Sequence, residues 1–258
     1  MNIVLLGSGN VATQLGRAFK MAGQTIVQVW SRNMDHAKKL ADTLASVAIS
    51  DINDIDLSAD LYIIAVKDKA ISDLAAKLNI GDKLIVHTSG STSLHALDGV
   101  SSHTGVFYPL QTFSKNKAVD FRSVPIAIEA SNPEDLAAIR AIADRLSERV
   151  TELSSAQRKT LHVAAVFACN FTNHLMAISQ KLLEAENLEF DLLRPLIAET
   201  VAKVQLYGPE TVQTGPALRG DSEIISSHLK MLEEKPELQE LYKLISQSIV
   251  NLHKQPRG

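Results

Sequence analysis

The feature that most constrains this chain is the turn Gly7-Ser-Gly-Asn-Val-Ala12, which separates its first apolar run from its first amphipathic segment. Ile3 to Leu6 form an unbroken apolar run, the pattern of a strand buried on both faces of a parallel sheet. Val11, Leu15, Ala18 and Phe19 then recur at helical spacing. Between the two, Gly7, Gly9 and Ala12 stand at G-x-G-x-x-A spacing. Gly7 permits the tight turn, Gly9 lets the backbone approach a pyrophosphate, and Ala12 lets helix and strand pack closely. The first helical N–H groups and the helix dipole favour an anion at the same point. A strand before and a helix after are the context that a dinucleotide site requires. Glycines that merely serve a turn are the alternative.

Thr25 to Trp30 read as the second strand and close a first β-α-β unit. An NAD site usually places Asp or Glu after this strand to bind the ribose 2′-hydroxyl. This chain has Ser31-Arg32-Asn33 there, and a hydroxyl with a guanidinium suits a 2′-phosphate. The expected cofactor is therefore NADP(H), against a solvated turn with an ordinary surface arginine.

The alternation of strands and helices continues. Asp35 to Ala45 is helical by pattern, Leu61 to Val66 a buried strand, Ile71 to Leu78 a helix, and Lys83 to Val86 a strand. Val66 and Lys67 end one strand, and His87-Thr-Ser-Gly-Ser-Thr92 follows the next, on the side where ligands bind in open α/β sheets. Thr88, Ser89 and Ser91 can offer hydroxyls and N–H groups to a ligand near Gly90, and His87 can move a proton. Ser91 or Thr92 can equally cap the segment holding Leu94 and Leu97. Tyr108-Pro109 implies an edge or shaped loop, from which Tyr108 and Gln111 can face a cleft. Val124 to Glu129 is a strand, Asn132 or Ser131 caps a helix opening at Pro133, and Val150 to Leu153 is a last short strand. The fold class expected is an α/β Rossmann domain over 1–153, doubly wound and mostly parallel, followed by an all-α domain over 154–258.

Ala156 to about Glu186 keeps a helical pattern without proline or glycine. At 100° per residue His162, Val166, Cys169, Asn170, Asn173 and His174 share one sector, a polar stripe that needs partners or a cleft. His162 and His174 have no carboxylate between them, so no metal set is expected. Helices follow from Phe190 to Tyr207, with Pro195 marking a kink or late start, from Ser222 to Glu233, and from Pro236 to Leu252. In Thr214-Gly-Pro-Ala-Leu-Arg-Gly-Asp221 an arginine stands in a turn-rich segment. Arg219 can bind a carboxylate in bidentate fashion, and Asp221 can orient it or cap the next helix.

A net charge of -3 gives no reason to expect nucleic acid or an anionic membrane as partner. The single cysteine, Cys169, excludes an internal disulfide and fits a reducing cytoplasm. No secretory leader is expected, the first apolar run being short, and the run Val163 to Cys169 is too short to cross a bilayer. The tail from His253 to Gly258 is expected to fray.

Together Gly7-Ser-Gly-Asn-Val-Ala12, Ser31-Arg32, Ala65-Val66-Lys67, His87-Thr-Ser-Gly90, Tyr108-Pro-Leu-Gln111, the helix around Cys169-Asn170, and Thr214 to Asp221 resemble a family of NADP-dependent oxidoreductases. Its members join a Rossmann domain to a helical C-terminal domain of unknown function that is of the 6-phosphogluconate dehydrogenase C-terminal type. The family is related to pyrroline-5-carboxylate reductase and the β-hydroxyacid dehydrogenases. The resemblance implies an enzyme that moves hydride between NADPH and the C=O or C=N carbon of a small carboxylate-bearing substrate. Gly7, Ser8, Gly9, Asn10 and Val11 would hold the pyrophosphate, Ser31 and Arg32 the 2′-phosphate, and Val66, Lys67, Ser89 and Gly90 would line the cofactor site. Asn170 would orient the reacting group, His174 or His87 would move the proton, and Arg219 with Asp221 would anchor the anion. β-Hydroxyacid dehydrogenases carry a catalytic lysine one turn before an asparagine on the central helix, where this chain has Val166 and Phe167. That departure leaves two rivals: a dinucleotide-binding sensor without catalysis, and a deazaflavin-linked NADP oxidoreductase. The apolar helices of the second half point to a homodimer through that domain.

Overall fold

The structure, a computed structural model, describes residues 1–254. The chain forms two compact units, Met1–His174 and the residues from Leu175 onward. The first holds a single sheet of eight strands: β1 (Asn2–Leu6), β2 (Thr25–Trp30), β3 (Val47–Ile49), β4 (Leu61–Ile64), β5 (Leu84–His87), β6 (Thr104–Pro109), β7 (Ile126–Ala130) and β8 (Val150–Glu152). They lie in the order β3-β2-β1-β4-β5-β6-β7-β8, and every neighbouring pair is parallel except β6 and β7. The apolar runs are continuous because alternate residues serve opposite faces. Ile3, Leu5, Ile63 and Val86 pack on one side with α1 (Asn10–Met21), α2 (Met34–Leu44) and α4 (Pro133–Asp144). Val4, Leu6, Tyr62, Ile64 and Ile85 pack on the other with α3 (Ile71–Ala75) and Leu97.

The strand order reverses at β1, which lies between β2 and β4. In open α/β sheets the crevice outside the carboxyl ends of the strands at such a point is the ligand site. Gly7 stands there at φ 135°, and a Cβ on it would meet the Ala65 carbonyl oxygen at 2.2 Å. Its N–H donates to the Trp30 carbonyl at 2.9 Å, so the turn is wedged between the ends of β2 and β4.

The Tyr108-Pro109 step proves to be the end of a strand inside the sheet, not a loop or an edge. Pro109 is the last residue of β6, opposite Ile126, where the strand needs no further N–H donor toward β5. The three-residue β3 was too short to carry an apolar pattern. The segment after β4 is shorter than its pattern, with α3 ending at Ala75, and Ser93 rather than Ser91 or Thr92 caps the single turn Leu94–Leu97. Asn132 caps α4, accepting from Asp135, with Pro133 in its first turn.

The long helix opens with a capping box of Ser154 and Gln157. It runs as α5 (Ser155–Ala165), a π-helical segment (Val166–Phe171) and α6 (Thr172–Glu184). The wider turn advances each side chain by less than 100°, so the polar stripe projected from a regular helix does not continue in phase past Val166. By length and composition alone Ser155–Glu184 suffices to cross a membrane, its most apolar 18-residue stretch having a mean hydropathy of 1.3, although no single apolar run within it does. Its first turns are anchored in the sheet unit, as shown below.

In the second unit, α7 (Arg194–Leu206) starts late, with Pro195 in its first turn. It is followed by α8 (Pro216–Arg219), α9 (Ser222–Met231) and α10 (Pro236–Lys254). Leu182, Leu238, Leu241 and Ile245 line an apolar cavity of about 250 Å³ there. His253 and Lys254 belong to α10 and are not frayed, and the rest of that tail lies outside the described residues.

Gly7→Ala should destabilise the first unit by about 1–3 kcal/mol, because the new methyl would meet a backbone oxygen and the φ is unsuited to an L side chain. Urea unfolding would read this as a lower midpoint, and an unchanged midpoint would show that the turn relaxes freely.

Candidate active site

A pyrophosphate needs donors, open approach and no competing carboxylate. α1 begins at Gly9 with no side-chain cap and no acid in its first turn. No atom lies within 4 Å of where a Gly9 Cβ would stand. The residues therefore fit a dinucleotide phosphate at this helix end. Asn10 does not offer its amide: the side chain donates to the Phe113 carbonyl at 2.8 Å, while Gln14 and Arg17 hold the carbonyls of Ser114, Lys115 and Lys117. The face of α1 thus straps the segment after β6 beside the turn.

Two cavities flank the end of β2. One, of about 530 Å³, is lined by Trp30, Arg32, Asp51, Val66, Lys67 and Lys77. Arg32 and Lys67 are both exposed side chains there. The other, of about 120 Å³, is lined by Ser8, Arg17, His36, Lys39 and Lys115 with no carboxylate. The Ser8 hydroxyl donates to Ser31 at 3.0 Å, joining the glycine turn to the end of β2. Basic side chains therefore stand on both sides of the position expected for a 2′-phosphate, not Arg32 alone, with Asp51 and Asp73 also lining the larger cavity.

After β5 the hydroxyls turn inward. Thr88 donates to the Ile64 carbonyl, Ser91 to Asp68, and the Ser89 hydroxyl binds Thr92 while accepting the N–H groups of Ser91 and Thr92. These hydroxyls, expected to meet a ligand, each already have a protein partner, which a ligand there would have to share or displace. Ser89 and Gly90 shape the loop. The expectation for His87 is corrected. It is wholly buried, its Nδ1 accepts the Ser89 N–H at 3.2 Å, and its Nε2 lies 3.2 Å from the Ser93 carbonyl. Burial, and then the charge of Arg158, push its pKa down to about 4, so it is a neutral scaffold for the loop and not a proton carrier at neutral pH.

Arg158, which the sequence did not single out, holds this region together. Its wholly buried side chain pairs with Glu129 of β7. Its Nε donates to the Ser89 carbonyl at 3.1 Å, and its terminal nitrogens reach the Thr92 carbonyl at 2.5 Å and Ser155 Oγ at 3.2 Å. Glu129 also accepts from the Ser155 N–H at 2.9 Å. One helical turn on, His162 Nδ1 lies 3.1 Å from the Tyr108 hydroxyl. A Cβ on Gly90 would stand 2.7 Å from the Tyr108 ring and 2.9 Å from His162 Nδ1, so only glycine admits the pair against the loop. The signal available in the sequence was the i, i+4 spacing of Arg158 and His162 at the start of the long helix.

The remaining candidates stand elsewhere. Asn170 and His174 are exposed, and His174 lies about 18 Å farther along the helix axis than His162. In the second unit, Asp221 caps α9, accepting from Ile224, and lies 3.9 Å from Arg219. The Arg219 side chain is 60% exposed. Among the described residues no group of His, Cys, Asp and Glu is arranged to hold a metal ion.

Residues 2–90 match a family described as NADP oxidoreductase coenzyme F420-dependent, and residues 124–249 match the domain of unknown function DUF2520. A Bacteroides fragilis protein described as a candidate NADP oxidoreductase is 46% identical, with 97% of this chain and 98% of that one aligned at a TM-score of 0.91. A Thermotoga maritima protein is 23% identical over 96% of this chain and 99% of its own, with a TM-score of 0.79. An imine reductase from Myxococcus stipitatus, solved with NADP+, shares the fold at 17% identity and a TM-score of 0.63, over 97% of this chain and 92% of that one. No curated protein matches the chain.

Arg158→Ala leaves Glu129 without its partner and two loop carbonyls without their donor, and should cost about 3–5 kcal/mol in urea unfolding. A loss below 1 kcal/mol would show that water replaces the guanidinium. His87 gives a pH dependence of definite sign. Its folded pKa of about 4 lies below the ordinary 6.5, so the unfolded chain binds more protons between those values. Its contribution is complete above pH 6.5 and is lost as pH falls toward 4, on the order of 3 kcal/mol in total. Thermal midpoints should fall across that window and fall less steeply in His87→Asn; parallel curves would clear His87 as the cause.

Proposed function

The chain belongs to the NADP oxidoreductase family that joins this nucleotide-binding sheet to a DUF2520 region, and from that membership we propose that it moves hydride between NADPH and the C=O or C=N carbon of a small carboxylate-bearing substrate. The observation that carries the reading is the uncapped start of α1 behind Gly9, open to solvent and flanked by basic side chains with no acid in its first turn. NADPH supplies the hydride when bound, and the protein supplies binding, orientation and electrostatics.

Gly7 shapes the turn, its own N–H being held by the Trp30 carbonyl, and backbone N–H groups from Ser8 to Val11 hold the pyrophosphate. Ser31 and Arg32 take the 2′-phosphate, with Lys39 adding positive charge and His36 a ring N–H beside Ser8. Val66 and Lys67 line the cofactor site beside Arg32. Residues 1–153 serve the cofactor, and 154–258 serve the substrate and self-association. Within the second unit Arg219, steadied by Asp221, offers a carboxylate anchor; within the first, Asn170 and His174 are exposed donors on the long helix. The reading includes a homodimer formed through the helical region in the cytoplasm. Supporting it are Val163, Phe167 and Phe171, exposed at four-residue spacing in the first unit, and Leu192, Leu196 and Val204, exposed in the second.

A second reading has the F420 description of residues 2–90 in its favour: a deazaflavin carrier would then exchange hydride with NADP. A flavin-like chromophore that copurifies with the protein would support it over the first.

Fluorescence titration with NADPH and NADH tests the cofactor assignment. NADPH should bind more tightly than NADH, and Arg32→Ala should lose about tenfold or more of that preference, the size of a charge-assisted hydrogen bond. Failure to bind either nucleotide would overturn the reading.

A further inference from the structure

The order of the strands fixes which half of a dinucleotide lies where. A pyrophosphate at the turn after β1 directs one nucleoside toward β2 and the other toward β4 and β5. Arg32 and the larger cavity mark the adenosine side. The nicotinamide half therefore falls toward the ends of β4, β5 and β6, where Gly90 and Tyr108 stand.

There the structure joins a phenol to an imidazole. Tyr108 is only 9% exposed, whereas His162 is half-buried, so the imidazole exchanges protons with water more readily than the phenol. Their rings meet edge to face with centroids 6.2 Å apart, and the hydroxyl lies 3.1 Å from Nδ1. The close approach at Gly90 presses both groups against the loop after β5, and Arg158 fixes the turn of helix that presents His162. A scaffold alone has no need of a phenol and an imidazole in line with each other at the carboxyl edge of the sheet.

Resting on the reading of an NADP-dependent reductase, we propose that Tyr108 donates the proton that completes reduction and that His162 resupplies it. Hydride carries its electron pair from the cofactor to the carbon of C=O or C=N, and the π pair moves to oxygen or nitrogen. The Tyr108 O–H bond breaks, and its proton forms the new O–H or N–H bond. The phenolate oxygen then takes a proton from Nδ1 of His162, which regains one from water. The sum is substrate, NADPH and a proton giving product and NADP+. Burial, and then the charge of Asp68, raise the Tyr108 phenol above its ordinary pKa of 10, which keeps it a donor at neutral pH. This is general acid catalysis by a positioned side chain.

Two measurements test the pair. In the ligand-free protein, Tyr108→Phe should move the ¹⁵N resonances of the His162 ring; unmoved resonances would overturn the coupling. With glyoxylate, pyruvate, 2-oxoglutarate and 1-pyrroline-2-carboxylate as probes, NADPH oxidation should fall by about 10²–10⁴-fold in kcat for Tyr108→Phe. The Kd for NADPH should stay within about threefold in the fluorescence titration. His162→Ala should also lose kcat, and added imidazole should restore part of it, which a purely structural role would not allow. A wild type that turns over while both variants keep its kcat overturns this inference and leaves the reductase reading standing. A wild type that binds NADPH and reduces none of the probes overturns both, and favours a nucleotide sensor.

Discussion

A guanidinium taken wholly out of water must find other groups to replace its solvent, and Arg158 finds them on three separate parts of the chain. Carbonyls of the loop after β5 accept two of its donors, Glu129 on β7 supplies the opposing charge, and Ser155 closes the set from its own helix. Ser155 adds to the same anchorage, its N–H and hydroxyl bonding Glu129 while its oxygen accepts the Leu94 N–H. The geometry around Gly90, Tyr108 and His162 follows from it, because His162 is one turn beyond Arg158 on a rigid helix. The same charge helps keep His87 neutral, which lets the imidazole serve as a hydrogen-bonded strut inside the loop. Among the described residues no buried side-chain nitrogen or oxygen lacks a partner, so this polar network sits in the sheet unit without an outstanding desolvation cost.

The glycine turn is a second constraint of a different kind. Gly7 is required by sterics, since its φ and its approach to Ala65 exclude a side chain, whereas the space beyond Gly9 is open. One glycine is required by the fold, and the other leaves space for the proposed cofactor. Charge then refines the choice of ligand: Ser31-Arg32-Asn33 directly after β2 lack the acid that a 2′-hydroxyl would call for, and the smaller cavity beside Ser8, with Lys39, holds no carboxylate. The side chains of α1 contribute less to the ligand than their position suggests, because Asn10, Gln14 and Arg17 are committed to the segment after β6.

The long helix links the two compact units and departs from regularity where the first unit ends. Its π-helical segment holds Asn170, the residue that the resemblance to β-hydroxyacid dehydrogenases singled out, and such segments are frequent at functional sites. Exposed Phe167 and Phe171 meet edge to face on the same stretch with ring centroids 5.0 Å apart, an apolar surface that water does not favour.

The sequence by itself determined the α/β class, the glycine turn and its neighbours, the basic residues after β2 and the change to helices after β8. Each of these is written in local periodicity or in a short fixed spacing, which neighbouring residues alone dictate. It read Tyr108-Pro109 as an edge or shaped loop because a proline at a strand end reads locally like a break, and it offered His87 as a proton carrier because burial is not a local property. Only the tertiary structure decided which polar groups were already satisfied. It gave His87, Ser89 and Ser91 protein partners, brought Arg158 onto Glu129 across 29 positions of sequence, and set His162 against Tyr108 across 54. Pairings of that kind depend on which strands lie side by side, and strand order is a global outcome of burying both faces of the sheet at once.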